Sequence, residues 1–128
     1  MRFAPIDIED ALRIVLDSEG CPVFAPPIPE NLSALVPCAR VRRTGGVKRG
    51  LVVDQSNIVI DVWAEDDATA MYHARRLSGQ VAGLSFDGDP YIRDASIVAE
   101  PYQNNDPSHP DLCRAAFMCS VYSVSERS

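Results

Sequence analysis

The sequence predicts an α+β domain, a mostly antiparallel sheet of four to five strands with two helices packed on one face. Three observations carry this. Residues 7–19 repeat apolar side chains at helical spacing, and Ile58–Glu65 alternates at strand spacing before passing directly into a second, alanine-rich helical stretch. Two further strand-like segments, 91–102 and 112–124, follow that helix. The predicted order is α-β-β-β-α-β-β. A chain of 128 residues, 46% hydrophobic, fits a single domain over 1–128.

In the first helix Asp7 is the expected cap, with Glu9 and Asp10 in the first turn. Ile8, Ala11, Leu12, Val15 and Leu16 then recur on one face, and Gly20 is the expected stop. Pro22–Ala25 reads as a short strand. Pro26, Pro27 and Pro29 exclude a sheet interior or a helix, so an extended connection follows, and residues 30–36 have room for one helical turn. Cys38–Thr44 is a strand whose charge suits an edge or an interface, ended by Gly45 and Gly46. Residues 45–57 read as a long hairpin or loop, with Leu51–Val53 a possible strand within it.

Ile58–Glu65 is the strongest strand signal. Ile58, Ile60, Val62 and Ala64 make one continuous apolar face, whereas the other face mixes Val59 and Trp63 with Asp61 and Glu65 and is expected to be partly covered. Asp66 or Asp67 caps the second helix, Ala70, Met71, Ala74, Leu77 and Val81 form its buried stripe, and Gly83 closes it. Phe86–Pro90 is a turn, 91–102 a strand broken at Pro101, 103–111 a loop, and Leu112–Val124 a long final strand. Residues 125–128 read as a loose tail. With both helices on one face, the other face of the sheet is exposed unless something covers it.

Charge is divided unevenly. Arg40, Arg42, Arg43, Lys48 and Arg49 place five of the twelve basic residues in ten positions, which leaves seven basic against eighteen acidic residues elsewhere, a balance of −11. The net −6 argues against a protein devoted to gripping nucleic acid. A basic strip on an acidic body suits an acidic partner, a second copy of the chain included; the plainer reading is a charged edge that blocks unwanted pairing.

Motifs of chemistry are sparse. Cys21, Cys38, Cys113 and Cys119 lack the short spacing of a zinc knuckle and read as buried structural thiols, reduced because the N-terminus lacks the apolar core of an export signal. No apolar run approaches the ~20 residues of a membrane span. His73 reads as a boundary histidine and His109 as a surface one. Asp61 is the carboxylate most suited to acid–base work, although a ladder pair with Arg40 or Arg42 explains it better. Asp87-Gly88-Asp89 lacks the remaining ligands of a calcium loop, and Gly45-Gly46 with Lys48 lacks phosphate-loop spacing. Neither metal, cofactor nor catalytic residue is expected.

The stretch Ile58-Val-Ile-Asp-Val-Trp-Ala running into Ala68-Thr-Ala-Met-Tyr-His-Ala-Arg-Arg-Leu is preceded by the helix Asp7-Ile-Glu-Asp-Ala-Leu-Arg-Ile-Val-Leu, a proline-rich link and the arginine strand Ala39-Arg-Val-Arg-Arg-Thr-Gly-Gly. In this order and pattern, over about residues 7–124, the chain resembles the tail terminator (tail completion) proteins of long-tailed bacteriophages and prophages. The resemblance implies a structural virion protein, not an enzyme. Its partners would be other copies of itself in a ring, usually of six, the tail tube protein and the head-side connector, with DNA only in transit. It would act in the tail neck of the virion after assembly in the host cytoplasm. Arg40, Arg42, Arg43, Lys48 and Arg49 are then the candidate assembly contacts, and Asp66, Asp67, Asp87 and Asp89 candidate counterparts. The alternatives are another head–tail neck protein such as a head-closure protein, a small ligand-binding or enzymatic module using Asp61 and His73, and nucleic-acid binding through the basic strip.

Overall fold

The computed structural model describes residues 3–4, 6–50, 52–86 and 89–127. The fold is α+β. Its elements run β1 (Phe3–Ala4), α1 (Ile8–Val15), β2 (Val23–Phe24), α2 (Leu32–Leu35), β3 (Cys38–Lys48), β4 (Val53–Ala64), α3 (Asp67–Gly83), a 3-10 turn (Leu84–Phe86), β5 (Ile92–Gln103), β6 (Cys113–Val124) and β7 (Glu126–Arg127). Five strands form the main sheet in the order β2-β3-β4-β6-β5, and β1 pairs with β7 in a small second sheet. The sheet is mixed where a mostly antiparallel one was expected, because β2 lies parallel to β3. Residues 25–37 between them are long enough for the crossover that a parallel pair demands.

The core follows the predicted periodicities except at Val15, expected on the buried face of the first helix but 37% exposed, because it lies in the last turn of α1 where the chain leaves the helix. Ile8, Leu12 and Leu16 from the α1 region and Ala70, Ala74, Leu77 and Val81 from α3 pack on Val41, on Ile58, Ile60 and Val62, and on Ala115, Phe117, Cys119 and Val121. Both helices therefore share one sheet face. Asp7 and Asp66 cap them, each side chain accepting an N–H three residues on.

Helix α1 ends at Val15, short of the expected 19. A tertiary contact stops it: the Gln80 side chain accepts the Asp17 N–H at 2.8 Å and donates to the Asp17 carbonyl. Asp17 is thereby supplied with partners that a further helical turn would otherwise provide.

The expected long loop over 45–57 is largely strand. β3 continues through Gly45 and Gly46 after a register shift and ends at Lys48, and β4 begins at Val53. A Cβ on Gly46 would clash with the Gln55 carbonyl, so the glycine permits close pairing instead of ending the strand. β5 also continues past Pro101, which an edge strand tolerates, with three register shifts along its ladder to β6. The tail is not loose at 125–127: Ser125 donates its N–H to Val52, and Glu126 and Arg127 pair with Ala4 and Phe3. The loop expected over 103–111 is found from Asn104 onward.

The second sheet face is covered at one end. Leu32, Cys38, Trp63 and Leu112 form a second buried cluster, with Phe24, Ile28 and Val36 against it. The proline-rich connection and the 104–112 segment are its cover. Val59, Asp61 and Trp63, expected to be partly covered, are all buried.

Candidate assembly surface and the buried polar cluster

Ladder pairing places Arg40 opposite Asp61 and Cys38 opposite Trp63. The Arg40 guanidinium donates to Asp61 Oδ2 from Nη2 at 2.6 Å and from Nε at 3.2 Å, and the Asp61 side chain is only 2% exposed. Arg42 approaches the same oxygen at 3.8 Å. Asp61 is thus the ladder partner of Arg40, with Arg42, itself opposite Val59, as a more distant charge neighbour. Its carboxylate is enclosed and compensated, which leaves it poorly placed to receive a substrate proton.

Trp63 sits one ladder step away and links this pair to the covering loop. Phe24 stacks on it at 6.3 Å, and the Arg40 and Arg114 guanidinium carbons lie 5.2 and 5.8 Å from its ring centroid. Its indole N–H donates to Asp106 Oδ2 at 3.1 Å. Asp106 also accepts from Ser108 N–H, contacts His109 Nδ1 at 2.8 Å and lies 3.7 Å from Arg114. Burial alone would raise the Asp106 carboxyl; hydrogen bonds from His109, Ser108 and Trp63, with the charge of Arg114, outweigh it and hold the group below the usual carboxylate range. The run Asn104-Asn105-Asp106-Pro107 signals an Asx turn, and Asp106 makes one, but no local pattern connects it to a tryptophan 43 residues away.

The basic strip is split by the alternation of β3. Arg40 and Arg42 lie on the Trp63 side. Arg43, opposite Ile58, lies on the helix side, where its N–H reaches Glu9 and its Nε donates to Ser56 Oγ. Lys48 pairs with Asp54 at 3.3 Å, and Arg49 donates to the neutral Gln55. Arg40 is consumed inside the fold, whereas Arg42, Arg43, Lys48 and Arg49 remain at the surface.

The candidate acidic residues do not form one patch. Asp66 is spent on capping, and its hydrogen bonds from Thr69 lower its carboxyl. Asp67 lies beside Cys113 and the 103–113 segment. Asp89 accepts the Tyr91 and Ile92 N–H groups at the start of β5. Asp87 lies outside the described residues.

His73 is buried, its Nδ1 2.5 Å from Ser18 Oγ, which ties the segment after α1 to α3. Burial and the nearby Arg76 charge lower its basicity. His109 is held by Asp106. The four cysteines are free, and burial pushes Cys21, Cys38 and Cys119 up to about 12, 11 and 12. Among the described residues no cluster suits a metal ion, and no helix is long and apolar enough to cross a membrane. Comparison with protein-family models and with curated proteins finds no match for this chain.

Proposed function

We propose that this chain is a ring-forming structural subunit of the tail terminator kind. In this reading the ring sits on the head-proximal end of a phage tail tube, ends tube polymerisation, and gives the head-side connector its docking surface. DNA passes through without being held.

The observation that supports the reading best is the outer edge of β3. β2 pairs only with Ala39 and Arg40, so the strand beyond them carries no main-chain ladder on that side among the described residues. Residues 38–50 contain five basic residues and no acidic one. Such an edge invites pairing by another chain, yet it repels a second copy of itself, because like charges across a ladder are destabilising. A contact with a different, acidic surface of the next copy is favoured instead, and head-to-tail contacts of that type close rings. The opposite edge, β5, is bulged and carries Pro101, which discourages simple edge-to-edge extension. Both histidines and Asp61 are engaged in holding the fold, in keeping with a role in assembly instead of catalysis.

The test is the native mass of the purified chain with and without tube protein, combined with electron microscopy of tube ends. A ring that seats on one tube end and stops elongation is the expected result. A chain that stays monomeric and leaves tube length unchanged overturns the reading.

A further inference from the structure

Resting on the ring reading, the geometry points to the two surfaces that meet between neighbouring copies: we propose that the β3–β4 turn of one copy seats in an apolar, acid-rimmed groove beside α1 of the next. The groove has a volume of about 470 Å³ and runs between one face of α1 and the chain entering β5. Ile14 and Val15, 67% and 37% exposed, supply its apolar wall, and Tyr91, 39% exposed, faces them. Asp7, Asp10 and Asp89 rim it, each fixed in place by a local bond through Oδ1 to Asp10 N–H, to Arg13 and to the Tyr91 N–H respectively. Ile14, Val15 and Tyr91 line one groove together, and a contiguous apolar surface of this kind gains by being covered.

The turn carries the complementary chemistry. Val47 and Val52 are 53% and 36% exposed and bracket Lys48 and Arg49. Two apolar side chains with two cations between them match an apolar groove with three carboxylates at its rim. A copy cannot satisfy its own groove in this way. Its Lys48 is tied to Asp54, its Arg49 to Gln55, and the Val52 carbonyl to Ser125, so the turn is held against its own strands.

The topology also sets turn and groove at one level. Val53 pairs with Val124, whose N–H donates to the Tyr91 carbonyl, so both features lie at the same end of the sheet. One wall of the groove is α1, which packs on β3, and the other is the chain entering β5, so the groove spans the helix-bearing face at that end. A turn-to-groove contact joins two unlike surfaces, so it is head-to-tail and can repeat around a closed ring.

The test uses two variants of the full chain, Val47→Glu with Val52→Glu in the turn and Ile14→Arg in the groove, each checked by circular dichroism for a native fold. Each alone is expected to lose the ring, assembling only at tenfold or higher concentration. Mixed, they are expected to give a one-to-one heterodimer and nothing larger, because one intact turn and one intact groove remain between them. If either variant misfolds, Val47→Thr with Val52→Thr and Ile14→Ala replace the pair, and a weakened ring is expected from each. A variant that keeps the wild-type ring, or a mixture that stays monomeric, overturns the inference while leaving the ring standing. A wild-type chain that never assembles overturns both. A wild-type ring that ignores tube ends, with the variants behaving as expected, overturns the tail reading and supports the turn-in-groove contact.

Discussion

Arg40 and Asp61 face each other across the β3–β4 ladder and meet at 2.6 Å, with the aspartate almost wholly enclosed and the arginine side chain only 12% exposed. The pair lies under Trp63 and Phe24, so it is a buried ion pair in a sheet face that the sequence alone left half uncovered.

Removing one partner of such a pair leaves the other uncompensated, which costs about 3–5 kcal/mol. Asp61→Asn is expected to lower stability by about 3 kcal/mol, since an amide replaces the carboxylate that neutralises Arg40. Joint replacement with Asp61→Leu and Arg40→Met is expected to recover most of the loss. Denaturant midpoints measure both, and a double variant no better than Asp61→Asn would count against the pair as the source.

Asp106 anchors the loop over Trp63. Asp106→Asn is expected to cost about 2 kcal/mol through weakened charge-assisted hydrogen bonds, and to open residues 104–111 to proteolysis. The sign of the pH effect follows from a carboxyl held below its ordinary 3.8 in the fold. Its stabilisation is complete above the unfolded value and is lost as pH falls through the lower folded one. Stability measured from pH 5 to pH 2 should therefore fall less steeply in Asp106→Asn than in the wild type.

His73 acts in the other direction. Its folded affinity for a proton lies below the ordinary 6.5, because burial and Arg76 oppose the charge. The unfolded chain takes up the proton first, so stability drops as pH falls below about 6.5, until the native His73 itself titrates. His73→Gln is expected to flatten stability between pH 7 and pH 5. Ser18→Ala, which removes the Nδ1 partner, is expected to cost about 1–2 kcal/mol at neutral pH by thermal melting.

The thiols give a count. Cys21, Cys38 and Cys119 are buried and shifted upward, and Cys113 is half-exposed. Maleimide labelling followed by mass measurement is expected to modify one thiol in the folded chain and four after unfolding. Rapid labelling of three or more in the native protein would contradict the packing around them.

Arg42 and Arg43 point to opposite sides of the same exposed edge. Reversing both charges is expected to weaken ring assembly at least tenfold and also to lower monomer stability, because Arg42 lies 3.8 Å from the buried Asp61 and a carboxylate there would face it. Concentration-dependent light scattering and a melting curve separate the two effects.

Much of the fold was legible locally. The caps Asp7 and Asp66, the buried stripe of α3 and the apolar face of β4 are written in spacings of three, four and two, and these repeat whatever the rest of the chain does. The glycines misled: Gly45 and Gly46 look like a strand end, but Gly46 is needed for close approach to Gln55 within a continuing ladder. The tail Ser125–Arg127 looked loose because no local pattern records that its pairing partner is the opposite end of the chain.

The candidate site divides along the same line. The charge imbalance, the amphipathic helices and the apolar face of β4 are readable from residues close in the chain or from one strand's alternation, whereas the choice between Arg40 and Arg42 as partner of Asp61 stays open at that level. The packing of distant segments sets the rest: Asp106 holds Trp63, Gln80 stops α1, and the basic strip is shared between two sheet faces with Arg40 withdrawn into the interior. It also brings the Val47–Val52 turn and the Ile14 groove to one end of the sheet. Contacts between residues tens of positions apart depend on how strands are ordered and faces are covered, and no local periodicity encodes that order.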